Sequence, residues 1–168
     1  SFDLFTGDYN PERTFTNGEI AEAAMRIAAD QTLITYDNFS AGVSVNRKNT
    51  LSFYVICKNL FGEDKMTEAF YDAKANNLDA ITALMYAFDY KVNKYLVSGK
   101  KAPNYADVTS VYNDTVNKFI TAAFENGIRL DNSNNINPND SITARSLAML
   151  LMQMDALAGI NTNYSVTV

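Results

Sequence analysis

The apolar residues of this chain return at helical spacing along most of its length, and that period limits the fold more than any other feature. Ile20, Ala23, Ala24, Ile27 and Ala28 form one stripe, and Ile81, Leu84, Met85, Phe88, Val92 and Leu96 form another. Each is the pattern of a helix with one buried face. The spacing predicts helices over about 19–33, 47–61, 66–76, 78–97, 113–125 and 144–158, and an all-α fold class. Leu51, Val55, Leu60, Leu147, Leu151 and Leu157 are the expected core contribution of the second and last of these.

The helix boundaries carry their own chemistry. Thr16 and Glu19 have the three-residue offset of a capping box, in which hydroxyl and carboxylate satisfy the first free amides of a helix. Asn46 and Thr143 are placed as N-caps. Gly62 and Gly159 fall just past expected C-termini, and Ser98 with Gly99 closes the fourth helix. Polar stretches at 36–42, 100–103 and 131–140 read as loops, and the tail, 161–168, alternates polar and apolar residues like a short extended arm.

Composition sets the class of protein. A chain of 168 residues and 18.6 kDa suits one domain, and 47% hydrophobic content with only 7 Gly and 3 Pro supports a core. Lys and Arg total 14 against 19 Asp and Glu, a net charge of −5 with no basic stripe, so no nucleic-acid partner is expected. No apolar run reaches the length of a membrane span, so no membrane insertion is expected. With no histidine and one cysteine, Ser-His-Asp and Cys-His catalysis, histidine zinc sites and an internal disulfide are excluded. Cys57, in an apolar segment, reads as a buried structural thiol. The opening residues, Ser1 to Phe5, lack a methionine and a basic leader, as expected of a mature or trimmed segment.

Two stretches share one plan: apolar helix, polar loop, then a capped helix ending in glycine. Ala28, Ala29 and Ile34 match Ala122, Ala123 and Ile128; Val45 and Asn46 match Ile142 and Thr143; Leu60, Phe61 and Gly62 match Leu157, Ala158 and Gly159. The intervening loops differ by three residues, where length changes are tolerated. Such repeats bury a shared core only when stacked.

The second stretch carries a resemblance. Tyr105, Asp107 and Val108, then Tyr112, Val116, Ile120 and Ala123, the turn Glu125 to Ile128, the loop Asn137 to Asn139, and Ser141 to Thr143 together resemble an S-layer homology repeat. That family's repeat opens with an aromatic-x-Asp-Val element and closes with Ile-Thr-Arg-Ala-Glu at a helix start. The first stretch matches more faintly, through Phe2 to Leu4 and Gly42 to Arg47. The resemblance divides the single domain 1–168 into a first unit at 1–62, a degenerate or inserted helical unit at 63–104, a second clear unit at 105–160 and the arm. It implies units packed around one core with three-fold pseudosymmetry.

The family resemblance also implies a secreted bacterial protein, outside the cell, held non-covalently on cell-wall polysaccharide at an acidic ketal-bearing sugar. An arginine at a helix start pairs bidentately with a carboxylate, and the helix amides favour the same anion. Arg47 holds that position in the first unit; in the last it is Ala144, with Arg145 one place later. The family's tryptophan corresponds to Tyr112, and its glutamate to Asn49 and Ser146. The implied glycan-binding set is Arg47 as carboxylate binder with Asn46, Asp107 as hydroxyl acceptor, Tyr112 as stacking wall, Asn126 and Gly127 as a close-approach turn, and Thr143 with Arg145.

Other chemistry competes with this reading. Asp131, Ser133 and Asn135 occupy the first, third and fifth positions of an EF-hand loop, but Ile136 and Ile142 stand where glycine and glutamate belong. The stretch reads as a solvated turn, and no metal or cofactor is expected. Glu19 with Glu22, and Glu68 with Asp72, would suit a glycosidase, yet at one-turn spacing they read as solvated helix faces. The aromatic set Phe70, Tyr71, Tyr86, Phe88, Tyr90, Tyr95 and Tyr105 reads mainly as core. Lys91, Lys94, Lys100 and Lys101 read as a solvated helix end. The leading expectation is a non-enzymatic attachment domain; the alternative is a scaffold or protein-interaction domain that kept the fold and lost the sugar site.

Overall fold

Thr16 Oγ1 accepts a hydrogen bond from the Glu19 amide at 3.1 Å, and the Glu19 carboxylate accepts one from the Thr16 amide at 3.1 Å. This closed capping box starts α1, Asn17–Ala28, in a computed structural model that describes residues 10–28, 48–97 and 104–161. Among these residues the chain is all-α, with no β structure beyond isolated bridges. Helix α2, Lys48–Ile56, runs into a π-helical turn, Cys57–Phe61, where one uninterrupted helix was expected. Gly62 ends it with φ 104°, a conformation that favours glycine, while its amide donates to Cys57 O at 2.7 Å.

The helix expected over 66–76 shrinks to a 3₁₀ turn at Glu63–Lys65 and α3, Glu68–Asp72. Thr67 caps α3 by accepting from the Phe70 amide, and the residues after it are drawn into an extended pairing described below. Helix α4, Asn77–Lys91, is capped by Asn76, which accepts from the Asp79 amide at 2.8 Å. It stops six residues before the expected Val97. The buried Asp89 carboxylate accepts from the Leu96 and Val97 amides at 3.0 and 3.2 Å, folding the chain back through left-handed Asn93 and Lys94.

Helix α5, Asp114–Glu125, has Asn113 as a cap facing two ways. Its Oδ1 accepts from the Val116 amide, and its Nδ2 donates to Leu60 O and Phe61 O at the end of the π-helical turn. One side chain thus satisfies the start of one helix and the end of another. Helix α6, Ala144–Asn161, begins at Thr143, as expected, and runs through Gly159, which was expected to end it.

Three extended segments, each just before a helix, join these elements. Thr14 pairs antiparallel with Thr143, Thr16 with Lys74, and Asn76 with Ser141, closing a ring. The Asn17 amide donates to Ala73 O, the Asn77 amide to Asp140 O and the Ala144 amide to Arg13 O, all within 2.8–2.9 Å. The first free amide of α1, α4 and α6 is therefore satisfied by a neighbouring segment. Phe15, Ala75 and Ile142 are buried at the matching positions of the three segments. Asn17 and Asn77 donate their side-chain amides to Phe70 O and to Ile136 O and Asn137 O. Their buried Oδ1 atoms have no partner among the described residues. The ring takes one segment from each expected unit, and the partners of Ile142 and Thr143 in it are 14–16 and 74–76. Val45 and Asn46, matched to them by sequence, lie outside the described residues, as does the tail from 162.

Helix α4 is the central element, packed on α1, α5 and α6. Every residue of the two stripes read from the sequence is buried, including Val92 and Leu96 beyond the end of α4. Leu51, Val55, Leu60 and Cys57 are buried as expected. On α6 the buried face is Leu147, Leu150, Met154 and Ala158, whereas Leu151 and Leu157, expected in the core, are half-buried at its edge. The run of leucines there offers apolar stripes on adjacent faces, about 100° apart around the helix, and packing on α4 selects one of them.

Candidate functional site

The residues expected to bind glycan are distributed over separate neighbourhoods. Arg47 and Asn46 lie outside the described residues. Asp107 clamps the asparagine-rich loop: its two carboxylate oxygens accept from the Ile136 and Asn137 amides at 3.0 and 2.8 Å. Asn126 donates to Leu96 O and Ala122 O, tying the end of α5 to the turn after α4. Gly127, φ 76°, ends α5, with its own amide donating to Phe124 O and the next, from Ile128, to Ala123 O. The space on the Cβ side of Gly127 is open. Thr143 caps α6, and Arg145 forms an exposed ion pair with Glu12 at 3.1 Å while its amide donates to Pro11 O.

Tyr112 belongs to a different centre. Its hydroxyl donates to Asp79 Oδ1 at 3.0 Å, and Lys65 Nζ sits 4.9 Å from its ring centroid. Lys65 also lies over Phe70, whose ring meets Phe61 edge to face. Asp79 is only 5% exposed at the third position of α4, where its amide donates to the capping Asn76 side chain. Burial pushes its carboxyl up to about 6, against the Tyr112 hydrogen bond and the Lys65 charge, which favour the ionised form. The same burial and the Asp79 charge raise the Tyr112 phenol, so it remains a donor. This centre joins α4 to the entry of α5, and its buried carboxyl gives up its proton at about 6 instead of in the usual carboxylate range.

Beside that entry, residues 104–111 and α5 enclose an open trough of about 220 Å³. Asn104, Thr109, Ser110, Asp114 and Asn117 supply its polar lining, and Val108 and Val111 its apolar part. Asp114 and Asn117 are three apart on α5 and therefore share a face.

The competing sites resolve locally. Glu19 pairs with Arg13 at 2.8 Å and Glu22 with Arg26 at 2.8 Å. In the 131–140 loop the Ser133 amide donates to Asp131 and the Asn135 amide to Ser133, a succession of side-chain turns. Among the described residues no group of acidic or cysteine side chains is placed to hold a metal ion. Of the aromatic set, Phe88 and Tyr105 are buried, and Phe70, Tyr71, Tyr86 and Tyr90 are half-buried against the core, whereas Tyr95 is 69% exposed. Burial also raises the Cys57 thiol to about 12, leaving it protonated and unreactive in the fold.

Sequence reasoning missed Asp79 and the trough. The offset of Asn76 from Asp79 equals that of Thr16 from Glu19, so a second cap was visible there. The polar pair Thr109 and Ser110 between two valines was the only trace of the trough. Comparison with family models, with curated proteins and with solved structures returns no match.

Proposed function

We propose that this chain is a non-enzymatic module that attaches an exported bacterial protein to cell-wall polysaccharide. The observation that supports this reading is the ring. Three capped helices, α1, α4 and α6, each begin from an extended segment paired with the other two, which suits three units around one core of the kind the resemblance implies. Within this reading Arg47 binds the carboxylate of an acidic sugar and the protein works outside the cell.

The test is retention of the purified chain on cell-wall sacculi, with and without their secondary polymer. Retention on polymer-bearing sacculi alone is the expected result, and Arg47→Ala should lose most of it with little change in melting temperature. Lysine at 47 should not restore it fully, because a point charge lacks the planar fork of a guanidinium. Wild-type protein that is not retained refutes attachment.

A second reading, a scaffold that kept the fold without the sugar site, is favoured by one observation. Asp107, Asn126, Thr143 and Tyr112 all use polar side-chain atoms in bonds within the chain, and Arg145 is paired with Glu12. It expects no difference between stripped and polymer-bearing sacculi.

A further inference from the structure

We propose that the trough between residues 104–111 and α5 is a subsite for a neutral sugar ring, separate from Arg47. It rests on the glycan-module reading and specifies which part of the polymer this face holds. The lining decides the chemistry. Thr109, Ser110, Asp114 and Asn117 face the hollow, and their side chains take no part in the hydrogen bonds of the described chain. Asn104 uses only its Oδ1, which accepts from the Tyr105 amide at 2.7 Å, so its two N–H groups are unused. Hydroxyls and amides both donate and accept, whereas a carboxylate only accepts. Neighbouring hydroxyls of a sugar, each donor and acceptor at once, match such a set, with Asp114 and Asn117 one turn apart to engage two of them. Val108 and Val111 give the C–H face of the ring an apolar support.

Charge selects among sugars. Asp114 is the one ionised group of the lining, and no lysine or arginine joins it. An acidic sugar would meet a like charge without a compensating cation. A hard cation is no better an occupant, because calcium takes six or more oxygens and the trough offers a single carboxylate. The volume lies below the roughly 300 Å³ at which pockets for drug-sized ligands begin, so one ring fits. Because the trough is open, a polymer can continue past it. A contact of a few neutral hydrogen bonds is weak alone and gains strength when a second site holds the same polymer.

The experiment titrates the isotope-labelled full chain with chitotetraose and maltotetraose as neutral probes and trigalacturonic acid as the acidic one, read by amide resonances. The expected result is a saturable response at millimolar neutral probe, confined to residues 104–117 and the Asn117 side-chain amide, with a weaker response to the acidic trimer. Asn117→Ala and Ser110→Ala should each weaken binding about three- to tenfold, the equivalent of one neutral hydrogen bond, with unchanged melting temperature. No saturable response to either neutral probe, a response centred elsewhere, or preference for the acidic trimer overturns the proposal. Neutral binding at the trough by a protein that sacculi do not retain upholds the subsite and removes the attachment reading. Retention on sacculi without any response at the trough removes the subsite and upholds attachment.

Discussion

Asp79→Asn isolates the cost of a buried carboxylate in this fold. Asparagine keeps an acceptor for the Tyr112 hydroxyl and nearly the same volume, but it cannot ionise. The Asp79 carboxyl lies at about 6 in the fold, against an ordinary value of 3.8. A shift of about two units, at about 1.4 kcal/mol per unit, corresponds to roughly 3 kcal/mol. Because the folded-state value is raised, protonation favours the fold: the contribution is fully present below pH 3.8 and lost as pH rises through 6. Urea unfolding of both proteins from pH 4 to pH 8 reads the difference, since every other titrating group is common to the two. The expected outcome is a stability difference that moves toward the variant by about 2–3 kcal/mol across that window, with unchanged denaturant slope. Parallel profiles would refute a carboxylate whose burial outweighs the Tyr112 hydrogen bond and the Lys65 charge. A difference moving the other way would show that Tyr112 and Lys65 outweigh burial.

Leu150→Ala should cost about 2–5 kcal/mol in urea unfolding, because the side chain is fully buried, and Leu151→Ala at the edge of the core should cost clearly less. Equal losses would contradict the assigned face of α6. Lys94→Gly should raise the unfolding midpoint: φ 63° costs a lysine about 1–2 kcal/mol, only partly offset by the freer unfolded glycine, for a gain of up to about 1 kcal/mol. A lower midpoint would show that the Lys94 side chain supports the turn more than its backbone strains it.

The parts of the fold legible in the sequence are those fixed within a few residues. Thr16 with Glu19, Thr143 with Ser146, and the end of α5 at Asn126 and Gly127 are local hydrogen-bonding arrangements, and they form where the spacing put them. The end of α4 was hidden because Val92 and Leu96 continue the apolar period and are buried without being helical; the stop comes from Asp89 reaching forward to the amides of 96 and 97. Residues 73–76 read as helix because nothing nearby marks them as extended. Their pairing partners are 15–17 and 141–142, distant in the chain. The candidate sites divide in the same way. Asp107 stood out as part of a motif, yet its role as a loop clamp depends on amides at 136 and 137. Asp79 carries no signal of its own in the sequence, because what sets it apart is the distant aromatic cover of Tyr112, Phe61 and Phe70 around Lys65.

The ring at the starts of α1, α4 and α6 has a consequence for how the chain reaches its native state. Each of its three pairings joins residues far apart in sequence, and the Thr14 to Thr143 closure spans nearly all of the described chain. Chain ordering over such distances must precede the stabilisation it brings, so the ring forms late and slowly compared with the helices it joins. During synthesis the segment holding Phe15 emerges first and waits for Ile142. Cutting the chain between any two of these helices removes hydrogen-bond partners from both fragments, and neither can complete the starts of its helices alone. The three units into which the resemblance divides the sequence are therefore expected to melt and form as one cooperative body.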